Sequence, residues 1–189
     1  ALGVPLKLTS ALLENGITRN TVEEVYTRIV IDLEQASALF GKYSKRRGDF
    51  RINGTATDIL LSRVYLYMEE WDRAIEAANR AIKTAEGLTD YTTVEAGNQF
   101  YMTTYELSEV EWLFDMSITN FPFVPSGDLL SKYTNGDKRE TLWFNANGSI
   151  SKRAQKSGWG PNRTIRISEA YLNRAEALVL SQNANIGEA

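Results

Sequence analysis

None of the 189 residues is a cysteine or a histidine. The first absence removes thiol nucleophiles, disulfides and thiolate metal sites. The second removes Ser-His-Asp triads and the imidazole ligands that zinc and most transition metals require. No metal and no cofactor is therefore expected. The missing cysteines say nothing of the compartment, because no disulfide is available to be used. Basic runs are short, the longest being Lys45-Arg46-Arg47, and the net charge is -3. That balance gives no general attraction to nucleic acid, and the basic triplet reads as a solvated loop. No apolar run reaches the roughly 20 residues needed to cross a bilayer as a helix. With 43% hydrophobic and 24% charged residues the composition is that of a globular protein, which excludes wholesale disorder.

What is present is helical periodicity. Residues 53–86 read as two helices joined by a tight turn at Glu69-Glu70, the length of one tetratricopeptide repeat. Leu61, Val64, Tyr65 and Met68 recur at the three-and-four spacing of an amphipathic helix. Ala74, Ala78, Ala81 and Ala85 form a small-residue stripe on the second helix, with Ile75 and Ile82 beside it and Trp71 at the turn. Small side chains let helix backbones approach closely, so the hairpin is built to pack. A second copy is expected from Arg166, offset so that Val179 falls on Val64 and Ala189 on Ala74. The chain stops within that copy, and it opens at Ala1 without a leader. Both ends predict the middle of a longer protein, with Leu178 and Leu180 partly uncovered.

Ahead of the repeat, residues 21–40 predict a helix with Val22, Val25, Tyr26, Ile29, Leu33, Ala36 and Leu39 or Phe40 on its apolar face. Thr21 and Glu24 fit a capping box, Glu24, Arg28 and Asp32 a charge ladder, and Gly41 a helix stop. Residues 87–161 differ in character: they hold three of the four Trp and three of the four Pro. They read as an irregular, aromatic-rich excursion. A weak helix is expected over 106–114, a short helix over 127–133 started by Ser126, and a turn at Asn135-Gly136. A short extended segment is expected over 141–144, and a small hairpin turned by Asn147-Gly148. The fold class is thus all-α: tetratricopeptide-like hairpins with an excursion, in one unit divided as 1–86, 87–161 and 162–189.

Several phrases occur in a characteristic order. Gly3-Val4-Pro5-Leu6 is followed by Thr21-Val22-Glu23-Glu24-Val25-Tyr26 and Ile31-Asp32-Leu33-Glu34-Gln35-Ala36. Then come Val64-Tyr65-Leu66-Tyr67-Met68 with Trp71-Asp72-Arg73-Ala74, and Val124-Pro125-Ser126-Gly127-Asp128-Leu129-Leu130 with Gly136-Asp137-Lys138-Arg139. Arg166-Ile167-Ser168-Glu169-Ala170-Tyr171-Leu172-Asn173-Arg174-Ala175-Glu176-Ala177 closes the set. Together these resemble the SusD/RagB family of nutrient-binding outer-membrane lipoproteins. The resemblance implies about four tetratricopeptide-like hairpins and a large irregular part that holds the ligand. It implies a cell-surface protein on the outer membrane, held by a lipid anchor missing from this chain. It further implies a SusC-type TonB-dependent transporter as partner, a glycan or peptide as ligand, and no catalysis.

Sugar capture needs flat apolar faces with a polar rim. The excursion supplies Trp112, Phe121, Phe123, Trp143, Phe144 and Trp159, with Asn145, Asn147, Asn162 and Arg163 nearby. The candidate ligand-binding residues are Trp143 and Trp159 first, then Trp112, Asn145 and Arg163. The same rings also serve to fasten an irregular segment to helices. Glu106, Glu109, Glu111 and Asp115 contain the carboxylates that a glycosidase would need, although a solvated helix face explains them better. Three readings stay open: a glycan-binding subunit, a repeat scaffold that binds only protein or peptide, and a carboxylate glycosidase.

Overall fold

The computed structural model describes residues 1–10, 16–48, 51–94, 108–115, 125–144 and 163–181. Its elements run α1 (Val22–Lys42), α2 (Gly54–Tyr67), α3 (Trp71–Thr84), β1 (Val110–Asp115), α4 (Gly127–Ser131), α5 (Lys138–Trp143), β2 (Arg163–Arg166) and α6 (Ile167–Leu180). The chain enters along α1, where Leu2 bridges Thr21 and the Gly3 N–H donates to the Asn20 carbonyl at 2.7 Å. A methyl group on Gly3 would stand 3.0 Å from Val25 Cγ2 and 3.2 Å from Thr21 O, so a side chain there would press the segment off the helix.

The capping box forms as expected: Thr21 accepts the Glu24 N–H while Glu24 accepts the Thr21 N–H. Arg28 and Asp32 pair at 2.7 Å, one rung of the expected ladder, while Glu24 is occupied at the cap. Two expectations for this helix need correction. It does not stop at Gly41 but runs to Lys42, where the Tyr43 N–H donates to Leu39 O. Gly41 is exposed, with open space where a side chain would stand, and it adopts helical geometry at a modest entropic cost. The inward face is also rotated from the expected one. Val30 is the buried residue, while Val22, Ile29 and Leu39 are exposed. Among the elements described, α1 packs mainly against α2, with Glu34 also reaching Arg73 of α3 at 2.8 Å, so α2 selects which side is covered.

α2 and α3 form the expected hairpin, and α6 packs against both. Glu69 takes the left-handed conformation (φ 60°) that reverses the chain, and the Glu70 N–H returns to Tyr65 O at 2.9 Å. Ala74, Ala78 and Ala81 are fully buried, as is Ala77, which the four-residue stripe omitted. Alanine on two sides of α3 allows both α2 and α6 to approach it. The core divides into clusters. One holds Ala56, Ile59, Ala78, Ala81, Ile165, Ile167 and Ala170, and another holds Val30, Leu61, Tyr65, Ala74, Ala77 and Ala177. A bidentate Arg63–Glu169 pair links α2 to α6 across the surface.

The segment around residue 110 is a strand, not the weak helix expected over 106–114. β1 pairs antiparallel with β2, Val110 facing Arg166 and Trp112 facing Ile165. β-branched and aromatic side chains favour this state, and a partner more than fifty residues away fixes it. Residues 141–143 likewise depart from the expected extended form, while Phe144 takes it. Asp137 caps α5 by accepting the Arg139 N–H at 2.9 Å, and the helix continues to Trp143. Ser126 caps α4 and Gly136 turns with φ 94°, both as expected, and Asp137 pairs with Arg139 at 2.6 Å. The hairpin at Asn147-Gly148 lies outside the described residues. So does the second helix of the terminal repeat. Leu180 is exposed as expected, but Leu178 is buried, because it turns inward one residue after Ala177.

The alanine stripe sets a steric limit. Ala78→Leu is expected to destabilise the chain by about 1–3 kcal/mol through overpacking, whereas Leu172→Ala, at a position 70% exposed, should change stability by less than about 0.5 kcal/mol. Urea unfolding followed by circular dichroism measures both.

Candidate functional site

A cleft of about 750 Å³ opens where the end of α1, the start of α2 and the end of α3 meet β1. Asn53 organises it. Its side chain accepts the Ala56 N–H at 2.8 Å to cap α2, and its amide donates to Glu111 O at 2.8 Å, tying β1 to the helix start. The adjacent basic loop contributes Lys45, Arg46 and Arg47 to the lining. This loop is not uniformly solvated, as its composition suggested. Arg47 is half-buried, pairs with Glu86 and donates to Val110 O at 3.0 Å, because β1 presents that carbonyl at the base of the loop. Across the cleft Asp58 accepts from Ser37 at 2.8 Å and pairs with Arg80 at 3.1 Å. Thr55 and Thr84 hydroxyls meet at 3.0 Å.

Glu111 is the anomalous group on this surface. It is 3% exposed, lines the cleft, and its Oε1 has no hydrogen-bond partner among the described residues. Burial pushes its carboxyl up to about 7, against the opposing pull of Arg47, with Glu86 adding to the rise. Two positions earlier, Glu109 is also buried but fully engaged. It pairs with Arg166 and accepts the Tyr91 hydroxyl. Burial, then the Glu109 carboxylate, raises the Tyr91 phenol above its ordinary value. Tyr91 meets Trp143 edge to face at 5.5 Å, within a small cluster that includes Val110 and Leu142.

The sequence-derived candidates separate on this framework. Trp112 is half-buried against the cluster containing Ile165 and Ile167. Trp143 belongs to the different cluster around Leu142 and Val110, with its indole Nε1 buried and unpartnered among the described residues. Arg163 lies in β2 opposite Asp115. Asn145 and Trp159 lie outside the described residues, as do Phe121, Phe123, Asn147 and Asn162. Phe144 is half-buried and meets Tyr133 at 5.5 Å. The acidic group does not form a solvated helix face. Glu109 and Glu111 are buried because the segment is a strand enclosed between helices and the 91–94 segment. Glu106 lies outside the described residues.

No family model and no curated protein matches the chain. Solved structures do. A SusD superfamily protein from Bacteroides thetaiotaomicron VPI-5482 superposes with a TM-score of 0.75 at 24% identity, over 100% of this chain and 49% of its own. The chain has the fold of the SusD superfamily. A SusD-like carbohydrate binding protein from Bacteroides vulgatus ATCC 8482 aligns over 94% of this chain and 44% of its own, with a TM-score of 0.68 and 19% identity. A laminarin binding SusD-like protein aligns over 93% of this chain and 54% of its own, with a TM-score of 0.56 and 18% identity. The SusD-like chain thus spans about half the length of the solved structures it matches.

Within this SusD-like fold the cleft is the feature that sequence reasoning missed. Its signals were present as Asn53-Gly54-Thr55, a capping sequence placed directly after a basic loop. Glu111 and Arg166 yield two tests. The Glu111 carboxyl is protonated in the folded state up to about pH 7, while in the unfolded chain it ionises at ordinary carboxylate pH. Relative stability is therefore lost as pH rises between those values. Glu111→Gln should melt close to the parent at pH 5 and above it at pH 8, by differential scanning calorimetry. Arg166→Met leaves the buried Glu109 without its cation, and should cost about 3–5 kcal/mol in urea unfolding at pH 7.

Proposed function

We propose that this chain is part of a cell-surface glycan-binding subunit of a TonB-dependent nutrient uptake system, which captures oligosaccharide for a SusC-type transporter. The observation that carries the reading is the SusD superfamily fold along the whole chain. Relatives of that fold are described as carbohydrate-binding and laminarin-binding proteins. In this reading the three packed helices are the scaffold, and the exposed Leu172, Val179 and Leu180 on α6 suit a protein neighbour. The ligand rests on the aromatic-rich region, with Trp143 and Trp159 as the preferred stacking rings and Trp112, Asn145 and Arg163 as the further candidate contacts. Residues 1–189 form one unit, divided as 1–86, 87–161 and 162–189. The protein sits on the outer face of the outer membrane through a lipid anchor, and captures without cleaving.

Isothermal titration against laminarin, starch and pectin fragments tests this. At least one neutral glycan should bind, and Trp159→Ala or Trp143→Ala should weaken it by about threefold to tenfold, the loss that a stacking contact of about 0.5–1.5 kcal/mol implies. Circular dichroism of Trp143→Ala separates loss of a contact from loss of fold, since Tyr91 packs on that ring. Failure of every glycan to bind, or release of shortened products, overturns the reading.

A further inference from the structure

We propose that the cleft between α1, α2 and α3 binds the carboxylate of an acidic sugar such as a hexuronic acid. The proposal rests on the glycan-binding reading for the sugar and on the cleft alone for the carboxylate. Four observations converge. α2 is a 14-residue helix whose N-terminus opens into the cleft. Asn53 satisfies the Ala56 N–H, which leaves the Gly54 and Thr55 N–H groups of the first turn to face an anion. The carboxylates Asp58 and Glu86 are each neutralised, by Arg80 and Arg47. Arg46 and Lys83 line the same space and carry no ion pair among the described residues, although the field of Arg46 reaches Glu86.

The independent sign of a ligand is Glu111. A side chain 3% exposed that leaves a carboxyl oxygen without a partner is rare, and it borders this space rather than the core. In its protonated form it is a hydrogen-bond donor, the form that burial favours up to about pH 7. A donor there serves a ligand carboxylate or hydroxyl, whereas an ionised Glu111 repels an anion. Ser37, Thr55 and Thr84 place hydroxyls around the same space, and a volume of about 750 Å³ admits a ligand larger than a bare ion. A sugar acid matches both the charge and the hydroxyl lining.

Titration of the full chain with glucuronate, glucose and acetate, followed by calorimetry, tests the assignment. Glucuronate should bind at least tenfold more tightly than glucose and more tightly than acetate. Lys83→Ala and Arg46→Ala, both at exposed positions, should each weaken it by about threefold or more. Affinity should fall as pH rises from 6 to 8, and Glu111→Gln should flatten that profile. The charged groups facing Glu111 are Arg47 and Glu86, and the hydrogen bond from Arg47 holds the Glu86 carboxyl below its ordinary value. Glucuronate no tighter than glucose, or unaffected by both substitutions, overturns the site. Acetate as tight as glucuronate overturns the sugar. A neutral glycan that binds elsewhere, and survives both substitutions, leaves the broader reading standing whichever way the cleft behaves.

Discussion

α2 is enclosed on nearly every side, and the rest of the structure follows from that enclosure. It meets α1, α3, α6 and both strands, and seven of its 14 residues are buried. Three of those seven are polar: Thr57, Asp58 and Ser62. A buried polar group without a partner costs about 1–3 kcal/mol, so each needs a neighbour at a defined position. Thr57 donates back to Asn53 O, Asp58 accepts from Ser37 of α1 and pairs with Arg80 of α3, and Ser62 accepts from Asn173 of α6. The Thr57 bond closes within the first turn of α2, while the Asp58 and Ser62 contacts fix the register of α1, α3 and α6 against the central helix. Apolar packing alone tolerates sliding; these directional contacts do not.

The same logic carries the strand pair. β1 brings two carbonyls toward the helices, at Glu111 and Val110, and both are met by side chains of the segment that leads into α2, Asn53 and Arg47. On its other flank Glu109 receives Arg166 and Tyr91, while the Glu109 carbonyl takes the Ile167 N–H where β2 becomes α6. The strands therefore couple the hairpin to α6 through charge and backbone as well as through Ile165 and Ile167. The cleft lies beside this junction, with Asn53 and Glu111 both in its lining.

Legibility in the sequence followed the range of the interactions involved. The Thr21–Glu24 box, the Ser126 cap, the Asn135-Gly136 turn and the α2–α3 hairpin depend on residues within a few positions of one another, and all were readable. At Gly41 and over 141–143 local helix geometry and the Asp137 cap decided against the expectation, while the other departures arise where a distant partner decides. The strand over 110–115 depends on residues 163–166. The orientation of α1 depends on which of its apolar sides meets α2, so Val30 was overlooked while Ile29 and Leu39 were counted inward. For the candidate site, Trp112 and Trp143 were found as aromatic residues, but that they pack in separate clusters was not visible from their spacing. Glu109 and Glu111 sit two apart and look alike in sequence. Tertiary structure pairs one with arginine and leaves the other with a bare oxygen.

Sequence by itself determined the helical hairpin, its turn and the caps, because backbone hydrogen bonds and side-chain periodicity act over one or two helical turns. The order of its phrases also pointed to the superfamily whose fold the chain has. Only tertiary structure decided which carboxylates are buried, which arginine is neutralised and where a cleft remains. Those outcomes depend on desolvation and on charges brought together from positions 47, 86, 111 and 166, distances in the chain over which no local pattern is constrained.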